Sequence, residues 1–263
     1  MSAASEGIQC AYIEDLDEVW ARPSTLIETT MHYCPGCGHS VVHRLIMEVI
    51  RELNIQEIAI GVAPVGCAVF AYHYMDIDMQ EAAHGRATAV ATGIKRMLPD
   101  RMVFTYQGDG DLAAIGTAET IHTINRGENI VMVFINNGIY GMTGGQMAPT
   151  TLEGSITSTT PSGRDLAMHG HPLKITEMIA MLPGAYYVTR QAVNTAKAVR
   201  KTKRALMNAF KYQMEGKGGT SFIEVVSNCP SGWKMTPIES NQWLENHIFK
   251  NFELGDIKTP PKE

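Results

Sequence analysis

The chain has 263 residues, of which 44% are hydrophobic, and 24 glycines, a composition that is ordinary for an α/β protein with a sizeable core. Its net charge of −5 predicts no nucleic-acid partner, because proteins that bind nucleic acids usually carry a strong basic excess. The N-terminal segment is acidic where a signal peptide would be basic, and no apolar run approaches the length of a membrane span, so we expect a cytoplasmic protein with no membrane partner.

Composition divides the chain into three parts. We expect residues 1–30 to form a polar N-terminal arm, residues 31–235 an α/β domain, and residues 236–263 a C-terminal arm, whose last part, NFELGDIKTPPKE, is extended on another subunit or frayed. Within the middle part, helix-like and strand-like segments alternate without an internal repeat. This alternation predicts an α/β fold built on one open, mostly parallel, doubly wound sheet.

The five cysteines are an odd number and too few for a disulfide scaffold. Cys34 and Cys37 form a CxxC pair just before the amphipathic run VVHRLIMEVIREL, where a helix N-terminus favours thiolates. Cys67 follows the strand-like IAIGVA, and Cys229 follows the strand-like TSFIEVV. Because the carboxyl ends of parallel strands gather at one edge, these loops could bring four thiolates around one site. Cys10, in the N-terminal arm, has no assigned role.

Three uses compete for these four cysteines: an iron–sulfur cluster, a zinc site and inert buried thiols. Structural zinc usually draws two close cysteine pairs, whereas Cys67 and Cys229 stand singly, as cluster ligands within a larger fold do. The spacing therefore favours a cluster, with zinc and inert thiols as the alternatives.

The segment from Gly108 to Asn137 combines a strand, a Gly-Asp-Gly turn, a helix, a second strand and two asparagines. The glycines on either side of Asp109 let the backbone approach a phosphate while Asp109 offers an oxygen to a metal. The run LAAIGTAETIHTIN presents the positive end of a helix to the same anion. After the second strand, Asn137 brings another hard oxygen ligand. The segment predicts a site for a diphosphate and a divalent cation, and the alternative is a structural turn with Asp109 as a helix cap.

This segment resembles the thiamine diphosphate motif. In that motif the Asp, the second Asn and a backbone carbonyl two residues later hold magnesium, which assigns Asp109, Asn137 and the Ile139 carbonyl to Mg²⁺. The other cofactor-binding positions that the motif and its continuation imply are Gly108, Gly110, Asp111, Gly141, Met142 and Thr143. A thiamine site beside the cysteines would also give a cluster a purpose, as an acceptor of single electrons.

Taken together, CPGCGH, QGDGDLA, NNGIYGMTGGQ, AAHGRA around His84 and the late Cys229 resemble the thiamine-binding β subunit of 2-oxoacid:ferredoxin oxidoreductases. The resemblance is closest to the branched-chain (2-oxoisovalerate) type. It implies that a [4Fe-4S] cluster is held by Cys34, Cys37, Cys67 and Cys229. It also implies that thiamine diphosphate is contacted by His84 and by the loop Gly66, Cys67 and Ala68, although His84 could instead be a capping or core histidine.

The reaction that this family implies is the oxidative decarboxylation of a 2-oxoacid with coenzyme A to acyl-CoA and carbon dioxide. Electrons then pass through the cluster to ferredoxin or a ferredoxin-like subunit. The substrate favoured by the resemblance is 2-oxoisovalerate, with 2-oxoglutarate and pyruvate as alternatives. The activating Glu is expected in a partner subunit of the α or γ type, so we assign no catalytic acid, interpret Glu119 as a solvated helix residue, and expect the chain alone to be inactive.

Two other classes remain open at this stage: a non-redox thiamine-dependent decarboxylase or synthase subunit, and a non-catalytic metal-binding assembly subunit. The polar segment 150–172 is long enough to be a functional lid or an interface loop, in which Arg164 could bind a substrate carboxylate or be solvated. A later helix has a basic face that could attract acidic ferredoxin or simply be solvated. That face comprises Lys197, Arg200, Lys201, Lys203 and Arg204.

Overall fold

The computed structural model describes residues 22–216 and 218–261. Most of the predicted N-terminal arm, including Cys10, therefore lies outside the described residues. The strands are β1 (Ala59–Ala63), β2 (Asp78–Glu81), β3 (Met102–Gly108), β4 (Val131–Asn136), β5 (Ile139–Tyr140), β6 (Gln146–Met147), β7 (Ala185–Ala192), β8 (Thr220–Val226) and β9 (Gly255–Lys258).

Seven of these strands form one sheet in the order β2-β1-β3-β4-β8-β7-β9, and β5 and β6 form a small separate hairpin. Every neighbouring pair in the main sheet is parallel except β7 and β9. The prediction of an open, mostly parallel, doubly wound sheet is confirmed.

Helices cover both faces of this sheet. None of those in the described part of the chain is both long and apolar enough to cross a bilayer. The helices are α1 (Gly38–Glu52), α2 (Ala87–Met97), α3 (Thr117–Asn125), α4 (Leu166–His169), α5 (Ile175–Ala180), α6 (Ala196–Met214), α7 (Pro230–Trp233), α8 (Pro237–Trp243) and α9 (Phe249–Asn251). Two π-helical turns, Asp111–Ile115 and Leu244–Ile248, adjoin α3 and α8.

The central strands are apolar on both sides, as strands between two helical layers must be. In β3, Phe104 and Tyr106 pack into the layer formed by α1 and α6, whereas Val103 packs into the layer formed by α2, α3 and α5. In β4, Val133 and Phe134 divide between the two layers in the same way. This arrangement leaves the carboxyl ends of the strands free to carry polar loops along one edge.

The C-terminal segment differs from the extended or frayed arm that its composition predicts. Helix α8 begins with a Thr236 capping box, and β9 pairs with β7. Between them, Leu244, Ile248 and Phe252 recur every four residues and are buried in a cluster that includes Val226. The segment packs against the domain because this apolar stripe outweighs the polar residues around it.

Candidate functional site at the carboxyl edge of the sheet

The loops that follow β3, β4 and β8 are brought side by side by the register of the sheet. Gly108 is paired with Ile135, and Asn136 with Val226, so the residues that follow these strands are neighbours. The Ser227 N–H donates to the Asn136 carbonyl at 2.9 Å. Asp109, Asn137 and the loop of Cys229 therefore share one edge.

Asp109 is a buried carboxylate that receives only neutral donors. It is 3% exposed, and it accepts hydrogen bonds from the Thr150 hydroxyl at 3.0 Å and from the Gly110 N–H at 2.8 Å. Burial raises its pKa to about 6, opposed by these donors and by the amides of Gly138 and Ile139. No lysine or arginine of the described residues forms an ion pair with it. A buried carboxylate without a cation is costly, so this environment fits a divalent metal ion.

The two adjacent asparagines face different parts of the molecule. The Asn136 amide donates to Glu224 Oε1 at 2.7 Å, inside the sheet layer. Asn137 lies on the loop that closes over Asp109, where its carbonyl accepts a hydrogen bond from Trp233 Nε1 at 3.1 Å. The Asn137 Oδ1 accepts the Ile139 N–H at 3.3 Å, so this side chain stays with the loop after β4, unlike that of Asn136.

Behind the asparagines lies a buried ion-pair network that the sequence analysis did not identify. Arg190 and Glu224 are 2% and 1% exposed, and the Arg190 Nε donates to Glu224. The other guanidinium nitrogens of Arg190 donate to Glu177 at 2.9 and 2.8 Å. Arg190 and Glu224 stand in the buried strands β7 and β8, and a charged side chain within a strand-like segment is the signal that could have revealed them.

Asp111 holds His84 in place. Its Oδ1 lies 2.6 Å from His84 Nδ1 and accepts the Gly85 N–H at 2.6 Å, while its Oδ2 accepts from Gln107 at 2.6 Å. Burial raises the pKa of Asp111, and these donors oppose that rise. With both oxygens used, Asp111 orients the partly exposed His84 ring and leaves its Nε2 for another partner.

The backbone around Asp109 can pack closely because glycine occupies the crowded positions. A Cβ on Gly110 would lie 2.1 Å from the Tyr140 ring, whose hydroxyl donates to the Gly110 carbonyl at 3.3 Å. Gly66, in the loop after β1, has a φ of +111° that side chains rarely adopt. A Cβ on Gly108 would meet no atom within 4 Å, so this position is open to a ligand.

The loop after β5 connects the Asp109 region with the cysteines. A Cβ on Gly141 would lie 2.9 Å from Cys229 Sγ, so the backbone lies directly on that sulfur. The Met142 amide lies close enough to Cys67 to oppose the rise in its pKa. Thr143 uses its hydroxyl to donate to Gln146 at 2.6 Å. The predicted amide donor Met142 therefore faces the cysteines, and the Thr143 hydroxyl is engaged within its own loop.

Asn228 joins the CxxC turn to the loop of Cys229. Its side chain donates to the Gly36 carbonyl at 3.0 Å and to Ser240 at 2.9 Å, and its own carbonyl accepts the Cys37 thiol at 3.7 Å. Cys37 and Cys229 are buried, Cys67 is half-buried and Cys34 is exposed.

The four sulfurs are electrostatic neighbours. Burial, together with repulsion from the other thiols including Cys34, raises the pKa of Cys37 and of Cys67 to about 11 and that of Cys229 to about 12. The structure thus brings together the four cysteines that the sequence analysis selected. Within residues 22–216 and 218–261, no three His, Cys, Asp or Glu side chains converge to hold a single metal ion.

A network of aromatic and imidazole rings, also missed in the sequence, lies beside Cys37. The Tyr33 ring stacks on His39, with centroids 5.2 Å apart, and its hydroxyl lies 3.2 Å from His43 Nδ1. His39 Nδ1 lies 2.7 Å from the Tyr106 hydroxyl. Burial, with repulsion from His39 and His32, lowers the pKa of His43 to about 3. These histidines are therefore neutral near pH 7.

Comparison with known proteins identifies the family to which the chain belongs. The profile of the thiamine pyrophosphate enzyme C-terminal TPP-binding domain matches residues 64–225, which span the loops of Cys67, Asp109 and Asn137. The 2-oxoglutarate synthase subunit KorB of Methanocaldococcus jannaschii is 39% identical over 201 residues, which cover 76% of this chain and 69% of KorB. The chain belongs to the 2-oxoacid:ferredoxin oxidoreductase family of thiamine pyrophosphate enzymes.

Other members extend this comparison. The ketoisovalerate oxidoreductase subunit VorA of Methanothermobacter thermautotrophicus is 44% identical over 245 residues, or 93% of this chain and 51% of VorA. The chain therefore spans about half the length of VorA. A solved structure of 2-oxoglutarate:ferredoxin oxidoreductase from Magnetococcus marinus, with 2-oxoglutarate, coenzyme A and succinyl-CoA bound, has a TM-score of 0.73 and 27% identity, covering 87% of this chain and 74% of that one.

Both expectations for Arg164 are wrong. It is 4% exposed, and its guanidinium donates to the carbonyls of Ala148, Pro149, Thr151, His169, Gly170 and His171. The side chain is thus neither solvated nor available to a substrate carboxylate. Arg164 instead ties together the two ends of the segment between β6 and α5.

Proposed function

We propose that this chain is the thiamine diphosphate- and iron–sulfur-binding subunit of an enzyme that oxidises a 2-oxoacid with coenzyme A to acyl-CoA and carbon dioxide, reducing ferredoxin. The observation that carries the proposal is the direct contact between the two halves of the site. The loop that continues from Asn137 lies on Cys229 through Gly141 and on Cys67 through the Met142 amide. Electrons released at a cofactor on this loop would have a short path to a cluster.

The metal role is supported by the environment of Asp109. With Asn137 Oδ1 and the Ile139 carbonyl, its carboxylate would hold Mg²⁺, and the charge of the ion would offset the burial that raises the Asp109 pKa. Thr150 and Trp233 keep these ligands in place through their hydrogen bonds to Asp109 and Asn137. Thiamine diphosphate, when bound, supplies the electron sink for decarboxylation.

His84 is the side chain best placed to contact the cofactor or substrate. Asp111 holds its Nδ1, so the ring keeps a fixed orientation and presents Nε2 as its free nitrogen. We assign to it the positioning of a polar group of the bound cofactor or substrate. No catalytic acid is assigned in this chain, and the Glu that activates the cofactor is proposed to come from a partner subunit.

The cluster role is supported by the four thiols. Cys34, Cys37, Cys67 and Cys229 interact electrostatically at one sheet edge, and four thiols contributed by three separate loops suit a multi-iron cluster. The [4Fe-4S] cluster, when bound, accepts electrons one at a time. Binding it would replace the protons that the raised thiol pKa values retain near pH 7.

A partner subunit is supported by apolar side chains around the edge. Four exposed residues, Val65, Phe70, Ile115 and Met142, lie on or beside the loops of Cys67, His84 and Asn137. Exposed apolar groups that rim a polar site are typical of a subunit interface. We therefore propose that partner chains cover this rim and complete the active site.

The proposed substrate is 2-oxoisovalerate, because identity to the ketoisovalerate subunit VorA is 44%, against 39% to KorB of M. jannaschii. The second candidate is 2-oxoglutarate, supported by KorB and by the 2-oxoglutarate-bound relative. A pocket residue for the substrate side chain is not assigned.

Anaerobic co-purification with the native partner chains tests this function. Iron, sulfide and thiamine diphosphate would be quantified, and ferredoxin or viologen reduction measured with a panel of 2-oxoacids and coenzyme A. We expect a bound cluster, bound thiamine diphosphate, the highest kcat/KM on 2-oxoisovalerate, and no activity from the chain alone. A colourless preparation with full thiamine occupancy would instead indicate a non-redox thiamine enzyme, and failure to bind thiamine diphosphate would indicate an assembly subunit.

A further inference from the structure

A groove of about 580 Å³ runs between α6, the β7–β9 edge of the sheet and the segment between α8 and β9. One wall carries three exposed cations at helical spacing, Lys197, Lys201 and Arg204. The spacing of four and three residues places them on one face of α6. The carboxylates in the groove, Glu245 and Asp256, already accept hydrogen bonds from Asn194 and Tyr187.

These three cations are grouped on one wall of the groove. Some basic side chains of the chain are paired with carboxylates, such as Arg86 with Glu119 and Lys203 with Glu48, both at 2.8 Å. Others, such as Lys174 and Lys211, are exposed singly outside the groove. Within the described residues, no ion pair is formed by Lys197, Lys201 or Arg204. The groove therefore presents three basic side chains without ion-pair partners on one helix face of a chain with a net charge of −5.

One end of the groove is lined by Ala192 and Asn194, the chain neighbours of Val193, which packs against the CxxC turn. Val193, in the link between β7 and α6, lies 3.0 Å from where a Cβ on Gly38 would stand, immediately after Cys37. Pro237, at the start of α8, lies 2.5 Å from the corresponding position on Gly36. Cys34, the exposed member of the four thiols, belongs to this turn. The exposed member of the proposed cluster site therefore belongs to the turn that lies next to this end of the groove.

We propose that this groove is the docking surface for a small acidic one-electron carrier protein, which collects electrons at the Cys34 end. This inference rests on the proposed function, because it requires a cluster at the four cysteines. Its basis is charge complementarity: an acidic surface is attracted by the three unpaired cations and oriented with its redox centre toward the CxxC turn. Attraction between exposed charges raises the association rate and weakens with salt.

The test compares two holoenzymes with equal changes in charge. The variant Lys197→Glu/Lys201→Glu reverses two charges in the groove, and the control Lys174→Glu/Lys211→Glu reverses two exposed charges outside it. The 2-oxoacid-dependent reduction of a purified acidic [4Fe-4S] ferredoxin is measured from low to high ionic strength. Reduction of methyl viologen, which needs no protein docking surface, is measured in parallel.

The groove variant is expected to raise the KM for ferredoxin by about tenfold at low salt and to flatten its salt dependence. Viologen reduction by this variant, and ferredoxin reduction by the control, should match the wild type. An unchanged ferredoxin KM alongside normal viologen reduction would overturn the docking proposal alone. So would loss of partner chains from the groove variant, since the groove would then be a subunit interface. Absence of viologen reduction in the wild-type holoenzyme would instead overturn the proposed function.

Discussion

The Asp109–Asn137 cradle and the four cysteines occupy the same sheet edge but are held in different ways. In the cradle, Asp109, the Asn137 carbonyl and the Gly138 carbonyl each accept a hydrogen bond from a side chain, those of Thr150, Trp233 and Thr151. Among the sulfurs, no side chain of the described residues donates a hydrogen bond to a thiol; backbone amides oppose the rise in the thiol pKa values, but burial and repulsion between the thiols outweigh them. The cradle is therefore pre-organised for its ligand, whereas the cysteine site gains its stability from the cluster it would bind.

The variant Cys229→Ser is expected to have the largest effect and to distinguish the cysteine site from the Asp109–Asn137 cradle. Cys229→Ser should reduce the cluster content of this chain and its ferredoxin-linked activity to background, because one of four ligands is lost. Thiamine diphosphate binding should persist, since the cradle is held by its own hydrogen bonds. Cys10→Ser is the matched control and should leave iron content and activity unchanged. Loss of thiamine binding in Cys229→Ser would contradict the independence of the two halves.

Asp109→Asn tests the other half. It retains the shape of the side chain and removes the charge, so the affinity for Mg²⁺ with thiamine diphosphate should fall by about 100-fold, or about 2.7 kcal/mol. The metal-free protein should unfold no more readily than the wild type, because a buried charge has been removed. Isothermal titration calorimetry and chemical denaturation measure these two quantities. Asp100→Asn, at an exposed position, should change neither.

The variant Arg190→Met tests the buried ion-pair network of Arg190 and Glu224, which contacts Asn136 next to the cradle. Removing the guanidinium leaves Glu224 buried without its cation, which should lower the free energy of unfolding by about 3–5 kcal/mol. The double variant Arg190→Met/Glu224→Gln should recover much of this loss. Arg200→Met, on the exposed surface of α6, should change it by no more than about 0.5 kcal/mol. Equal stability of the single and double variants would show that the charge on Glu224 is not the cause.

The smallest expected effect is the loss of folding stability at acid pH that is caused by His43, in the ring network beside the cysteines. Burial lowers the pKa of His43 in the folded protein from 6.5 to about 3, so the unfolded chain takes up the proton first. The stabilisation from neutral His43 is complete above pH 6.5 and is lost as the pH falls toward 3. Between pH 6.5 and 5, wild type should lose about 2 kcal/mol more than His43→Gln.

Thermal or chemical unfolding across this pH range measures that difference. His171→Gln, at an exposed histidine, should follow the wild-type curve. Parallel curves for wild type and His43→Gln would mean that protonation of His43 does not limit stability in acid.

The sheet was predictable because β3, β4 and β8 are short apolar runs separated by helical segments and turns. The C-terminal elements were not, because Leu244, Ile248 and Phe252 are scattered among polar residues. Their packing partners include Leu152 and Val226, which are distant in sequence. An amphipathic stripe is recognisable only when the surface that it covers is known.

The candidate site, like the fold, was predictable from the sequence only in part. Local motifs identified Asp109, Asn137 and the cysteines, since each stands directly at a strand end or helix start. The groups that orient them were missed, because contacts such as Thr150 with Asp109 join segments that only folding brings together. The pairing of Asp111 with His84 was missed for the same reason. Buried polar partners depend on three-dimensional packing, which a single sequence does not encode locally.

Arg164 has a consequence for how this loop could be exchanged between members of the family. One guanidinium gathers carbonyls from both ends of the loop, including those of Ala148 and His171, so the intervening residues fold as one cassette. Grafting single residues from a relative into this loop would leave its backbone path unchanged. Exchange of the whole cassette, with its arginine, is the smallest transplant that would carry a new loop shape to the edge of the cradle.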